Sequence, residues 1–218
     1  TSSLDYQNDM SVSRSLIIRC SDAYRRVRNT FRYLLSNLYD FDPNVNTISY
    51  EELLEIDRWA LHKTQELIKD VTLSYESLQL HRVFHNIYNF CTVEMSAFYL
   101  DILKDRLYTF AKNSKERRSA QTVMQYILVN LVKLSAPVIV HTAEEVWSAI
   151  SYKDEDVSSI HLSTFPKCTS AWIDNSLNER WEKLINMKTD VARELEKMRA
   201  AKLIGNSLEA SVCLYTEN

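Results

Sequence analysis

A single glycine, Gly205, stands in a chain of 218 residues. Tight turns, bulges and hairpin loops depend on glycine for backbone conformations with positive φ. A sheet-rich or loop-rich architecture is therefore disfavoured from the outset. The same scarcity removes whole classes of site. A Walker phosphate loop, the G-x-G-x-x-G dinucleotide fingerprint and the G-x-S-x-G nucleophile elbow each need glycines that this chain lacks. With three prolines, 45% hydrophobic and 25% charged residues, the sequence predicts a mainly α-helical globular domain, alone or with an appendage.

Hydrophobic spacing places the helices. From Ser13 to Leu38, the residues Leu16, Ile17, Cys20, Ala23, Tyr24, Val27, Phe31, Leu34, Leu35 and Leu38 share one side. FDPN (41–44) breaks that helix. Ser49 and Glu52 have capping-box spacing before a second helix, about Tyr50 to Leu78. A third runs from about Leu80 to Tyr108, and a fourth from a Ser114 cap to Ser135 before Pro137. Thr142 and Glu145 form another capping box at the head of a short fifth helix through Trp147. Beyond residue 150 the chain turns polar, except for IHLSTF (160–165), whose alternation predicts a strand. A sixth helix spans about Asn175 to Leu203 with Gly205 as its left-handed cap. SLEASVCLY (207–215) alternates again. The expected organisation is a linker (1–12), an antiparallel helical bundle (13–150) and a small C-terminal α+β appendage (151–218).

Cys20, Cys91, Cys168 and Cys213 lie far apart without C-x-x-C spacing. They read as reduced thiols of a cytoplasmic protein, neither a metal cage nor a disulfide framework. No apolar run reaches membrane-spanning length, and the N-terminus shows no signal-peptide pattern. The chain begins at Thr1, which suggests a piece of something larger. HRVFH (81–85) has two imidazoles one turn apart, but Arg82 fills the place of a catalytic glutamate and no third ligand is evident, so packing roles are favoured. In FYLDILKDRLY (98–108) the apolar side chains point in nearly every direction, as in a helix surrounded by protein. The Asp101/Asp105 pair within it is expected to be structural, neutralised by Lys104, Arg106 or basic groups from neighbouring helices.

The first helix carries Arg14, Arg19, Arg25, Arg26, Arg28 and Arg32 against one acid, Asp22. Arg25, Arg28 and Arg32 are helical neighbours with no acid among them, so they repel one another. Either a polyanion or carboxylates from adjacent helices must neutralise them. In an up-down bundle the C-terminal ends of the first and third helices coincide. Arg28, Arg32, Arg106 and Tyr108 then gather at one pole with Lys112, Lys115, Arg117 and Arg118 of the following connection. Cationic grooves with stacking rings suit single-stranded RNA loops. A helical protein–protein scaffold would show an apolar groove in place of this arginine stripe.

YRRVRNTFRYLLSNLYDFDP (24–43), DRWAL (57–61), FHNIYNFCTVEMSAFYLDILKDRLY (84–108), RRSAQT (117–122), APVIVHTAEEVW (136–147) and KLIGNSLEA (202–210) resemble, in order, the C-terminal part of isoleucyl-tRNA synthetases. DYQNDMSVS (5–13) is similar to the segment after their catalytic domain. RNT-x-R, YLDILKDRLY and KLIG-x-SLEA favour the isoleucine enzymes over their valyl and leucyl cousins. One departure is Val140, where many relatives have proline.

The resemblance implies an anticodon-binding domain of a class I aminoacyl-tRNA synthetase, whose parent joins isoleucine to its tRNA with ATP and Mg²⁺. Motifs of the HIGH and KMSKS types, the editing domain and the cysteine-rich zinc segment of many bacterial relatives are not found. This part is thus expected to be inert alone, without cofactor or metal, monomeric, away from membranes, and partnered by isoleucine tRNA and the catalytic domain of its own polypeptide. Related methionyl enzymes read the anticodon with a polar residue and an arginine on the first helix, plus an aromatic ring near the end of the segment resembling 98–108. Those positions correspond to Asn29 or Arg28, Arg32, and Tyr108. Arg25, Arg28, Arg32, Lys112, Lys115, Arg117 and Arg118 are accordingly expected at phosphates, and Asn29, Arg106 and Tyr108 nearer the bases.

Overall fold

In a computed structural model describing residues 13–215, the order of elements follows the hydrophobic pattern. Helix α1 (Arg14–Ser36) begins where Ser13 accepts the Leu16 amide, 3.2 Å away, and ends at Asn37, whose side-chain amide donates back to the Tyr33 carbonyl. Such caps satisfy backbone groups that a helix end leaves unpaired. After the one-turn α2 (Pro43–Asn46) comes α3 (Glu55–Glu76). It starts later than the sequence pattern predicts. Residues Tyr50–Glu52 instead form a 3₁₀ turn, and the Ser49 hydroxyl donates to the Glu52 carboxylate instead of capping the backbone.

The predicted third helix is three segments in one rod: α4 (Leu80–Asn89), a π-helical stretch (Phe90–Tyr99) and α5 (Leu100–Tyr108). Ile87, Cys91, Met95, Tyr99, Leu103 and Leu107 are all buried and recur every four residues. At about 100° per residue, a four-residue step overshoots an α-helical turn by about 40°. The wider π turn offsets that drift. It also settles which way α5 faces: Leu103, Arg106 and Leu107 point inward, while Asp101, Lys104 and Asp105 are exposed. The aspartates are therefore surface residues, with Lys104 donating to Asp101 at 2.7 Å, and they do not hold a buried helix in register.

Helix α6 (Lys115–Ser135), capped by Ser114, is buried along most of its length. Its Met124, Ile127 and Leu128 form the core with Phe31 and Leu34 of α1, Trp59 and Ile68 of α3, and Trp147 of α7 (Val140–Ala149). Helix α7 opens one turn before its expected box. Thr142 uses its hydroxyl on Tyr24 of α1, 2.8 Å away, and Val140 takes the first helical position, where proline would also be accommodated.

Residues 151–173 fold onto this bundle. The Trp147 indole donates to the Val157 carbonyl, and the Trp172 ring meets those of Tyr50 and Tyr126. The chain divides into two compact units between Ile173 and Asp174, so the helical unit outlasts the expected boundary at 150. The IHLSTF strand is absent. Ile160–Leu162 make a 3₁₀ turn whose entry is fixed by Glu144, which accepts from the Ser159 hydroxyl and the Ile160 amide.

The second unit contains α8 (Asn175–Ala200), capped by Asp174 and laced by exposed pairs such as Lys197–Glu194. Bonds from the Leu177 amide and then the Ser176 hydroxyl lower the Asp174 pKa. The helix stops three residues early, so the left-handed position falls on Lys202 (φ 56°), not Gly205. The bond from the Leu203 amide to the Met198 carbonyl completes a Schellman closure. Residues 207–215 form a 3₁₀ turn and then unpaired extended chain. No strand occurs among the described residues, because alternation without a neighbouring strand makes no ladder. The appendage is helical, not α+β.

Candidate nucleic-acid interface

Three of the expected RNA contacts belong to the interior. The Arg106 guanidinium is 8% exposed and grips Asp57, itself 0% exposed, through Nη1 at 3.1 Å and Nη2 at 2.6 Å. The same carboxylate accepts from Tyr99 (2.8 Å) and Ser119 (2.5 Å), while Arg106 also donates to the Glu116 carbonyl. This network ties α3, α5 and the head of α6. Arg117 and Arg118, both buried, converge on Asp40 just beyond α1. Arg117 lies 3.0 Å from its carboxylate and Arg118 3.0 Å from its carbonyl, and Gln121 donates to the carboxylate at 2.7 Å. Arg118 reaches Asn113 as well. Fully desolvated arginines held by carboxylates are unavailable to phosphate. Arg106, Arg117 and Arg118 are withdrawn from the predicted interface.

These bonds nonetheless fix its geometry. Arg117 and Arg118 bind the α1 exit to the α5–α6 connection, so the ends of α1 and α5 share one pole, as bundle topology predicts. What remains on the surface there is coherent. Arg25, Arg28, Asn29 and Arg32 are all exposed on the outer side of α1, within about 11 Å along its axis at a 1.5 Å rise. Arg25 pairs with Asp22 at 3.2 Å, and Arg28 with Glu145 of α7 at 3.2 Å. Arg32 has no ionic partner among the described residues.

Next to this face, Tyr108 is 63% exposed. Burial, followed by a hydrogen bond to Tyr108, pushes the Tyr33 phenol pKa well up, and across the α1–α5 seam the Tyr33 hydroxyl donates to the Leu100 carbonyl at 3.3 Å. Lys112 is exposed, and Lys115 is loosely paired with Glu52 at 3.5 Å. A loose pair between exposed side chains restrains a lysine little.

Two grooves adjoin α1 and α7. One, about 540 Å³, is lined by Ser21, Arg25, Asn29 and His141 with Arg28 and Glu145. The other, about 410 Å³, runs past Arg32 and shares Arg28 and Glu145. A larger cavity than either, about 810 Å³, lies elsewhere, between α6 and the 152–172 segment. Its lining includes Lys133, which already donates to Asp154 and Glu155 at 2.6 Å each. Burial alone would lower the Lys133 pKa, but those bonds raise it overall.

Sequence reasoning missed Tyr39 (80% exposed) and Phe110 (44% exposed), aromatic rings on the loops at the same pole, together with Glu145 and His141. A ring in a polar loop directly after a helix was the available signal for the first two. No group of three or more potential metal ligands occurs among the described residues. His85 instead pairs with Asn89 at 2.9 Å.

A helical bundle with a cationic outer face on its first helix and exposed rings beside it has the features that suit a single-stranded RNA loop. Residues 57–214 match the family described as the anticodon-binding domain of tRNA ligase, and the chain belongs to that family. Over 213 residues it is 48% identical to the isoleucine–tRNA ligase of Geobacter sulfurreducens, a match covering 98% of this chain and 23% of the relative. Over 216 residues it is 46% identical to that of Caldicellulosiruptor saccharolyticus, covering 99% and 24%. The chain thus spans about a quarter of the length of these curated relatives. Among solved structures, the LeuRS–tRNA–LeuAMS ternary complex of Agrobacterium radiobacter K84 aligns with a TM-score of 0.51 at 17% identity, over 76% of this chain and 18% of that one. At that identity the likeness is one of fold.

Proposed function

We propose that this chain is the anticodon-binding part of an isoleucine–tRNA ligase. It holds the anticodon stem-loop of isoleucine tRNA while a catalytic domain of the same polypeptide, using ATP and Mg²⁺, attaches the amino acid. The part itself contributes grip and selectivity, with no catalytic group or cofactor, and acts in the cytoplasm as a monomer. The relatives, all named isoleucine–tRNA ligase, favour that amino acid over valine or leucine.

The observation that carries this reading is the sorting of the arginines. Those at 106, 117 and 118 are neutralised in the interior, whereas Arg25, Arg28 and Arg32 stay on one exposed face beside Asn29 and Tyr108. Guanidinium groups held at the surface suit phosphates and base edges. Lys112, Lys115, Tyr39 and Phe110 extend the surface toward a single-stranded loop, which stacking rings would engage.

Filter binding with isoleucine tRNA and an anticodon-altered version tests it. Arg28→Ala together with Arg32→Ala is expected to weaken binding about ten-fold at low salt. It should also flatten the log–log salt dependence by about two, because each phosphate that is no longer neutralised keeps its own counterion. A change of two-fold or less, or equal affinity for both tRNAs, refutes the assignment.

A further inference from the structure

Glu145 is out of place on a phosphate-binding surface. It sits where the two α1–α7 grooves meet, lining both, and its carboxylate repels the polyanion that the arginines attract. The fold does not need it there. Helix α7 is fixed to the bundle by buried Ala143, Val146 and Trp147 and by the Tyr24–Thr142 hydrogen bond at 2.8 Å. The Arg28–Glu145 pair is long for two charged groups, 3.2 and 3.4 Å to the two oxygens, and both side chains are about half exposed or more. Exposed pairs of this kind are weak and easily exchanged.

Around Glu145 the groove offers mainly donors: Arg25, Arg28, the amide of Asn29 and the His141 ring. A lone carboxylate among donors distinguishes ligands by their own donors. Bases differ in this respect: cytosine, adenine and guanine carry an exocyclic amine with two N–H groups, whereas uracil presents carbonyl oxygens in its place and keeps only its single ring N3–H as a donor. Backbone phosphate offers no donor at all.

We propose that Glu145 is a specificity-determining residue of the RNA interface. In the free protein it restrains Arg28. When RNA enters, Arg28 exchanges to a phosphate, and the released carboxylate accepts a hydrogen bond from the exocyclic amine of one unpaired base. The groove then favours an amine-bearing base over uracil and repels phosphate. This inference rests on the RNA-binding reading of the α1 face.

The test compares wild type, Glu145→Gln, Glu145→Ala and Arg28→Ala in filter binding to isoleucine tRNA, oligocytidylate and oligouridylate. Glu145→Gln keeps the shape of the side chain and removes its charge. It is expected to bind oligouridylate about five-fold more tightly and to lose most of the preference for oligocytidylate. Glu145→Ala should do the same, and Arg28→Ala should weaken binding to every RNA. If Arg28→Ala weakens binding while both Glu145 variants leave the cytosine-to-uracil ratio unchanged, the inference fails and the RNA face stands. If Arg28→Ala and both Glu145 variants leave every affinity unchanged, the RNA face fails with it.

Discussion

Replacing Arg106 by methionine should destabilise the helical unit far more than it disturbs RNA binding. The Asp57 carboxylate is 0% exposed and receives four bonds, two of them from Arg106. Methionine fills most of the space but leaves the carboxylate to Tyr99 and Ser119, both neutral donors, and leaves the Glu116 carbonyl short of its partner. Breaking a buried pair from one side costs about 3–5 kcal/mol. Urea unfolding followed by tryptophan fluorescence is therefore expected to show a loss of about 3–5 kcal/mol at pH 7. The domain's total stability is of order 5–15 kcal/mol, so the loss is large but measurable. Asp57→Leu combined with Arg106→Met removes both charges and should cost well under the sum of the single changes. A loss below about 1 kcal/mol for Arg106→Met, accompanied by weakened tRNA binding, would return Arg106 to the RNA surface and refute the network.

Two further outcomes follow from the protonation state of single groups. The bond from Lys133 first, then those from the Thr164 side chain and backbone, hold the Glu155 pKa at about 2, below its ordinary 4.5. A depressed carboxyl contributes stability above its unfolded pKa and loses it as the pH falls, so the unit should weaken between pH 4.5 and 2, and Glu155→Gln should flatten that stretch of an acid–urea titration. Burial pushes the Cys91 thiol up to about 12. A thiol reagent at pH 8 should label exposed Cys168 and Cys213 within seconds and reach Cys91 only through global unfolding; rapid labelling of Cys91 by mass spectrometry would contradict the packing of the π segment.

What the chain revealed about itself depended on how local each signal is. The scarcity of glycine and the three- and four-residue spacings announce helices because both act within a few residues, and the Ser13 and Ser114 caps sit where side-chain chemistry puts them. The two strands failed because alternation is a local pattern whose ladder needs a distant partner. Charge pairing is nonlocal in the same way. Asp57 lies 49 residues from Arg106 and Asp40 77 from Arg117, and nothing in the composition matches them. Three of the basic residues expected at that pole are thus spent on interior carboxylates.

One local pattern does bear on Arg106. From Ile87 to Leu107 one row of buried residues, Ile87, Cys91, Met95, Tyr99, Leu103 and Leu107, steps by four throughout. Over those five steps an unbroken α-helix would rotate by about 200° beyond whole turns, carrying Leu107 and its neighbour Arg106 to the opposite side, where Arg106 would face solvent. A core that demands every fourth residue must widen the helix, and the π turns between Phe90 and Tyr99 do so. The same widening that brings Tyr99 onto Asp57 turns Arg106 inward to join it and leaves Tyr108, two residues on, at the surface. The division between the arginine that holds the bundle and the ring left at the surface is therefore set about ten residues upstream, by helical period and not by charge.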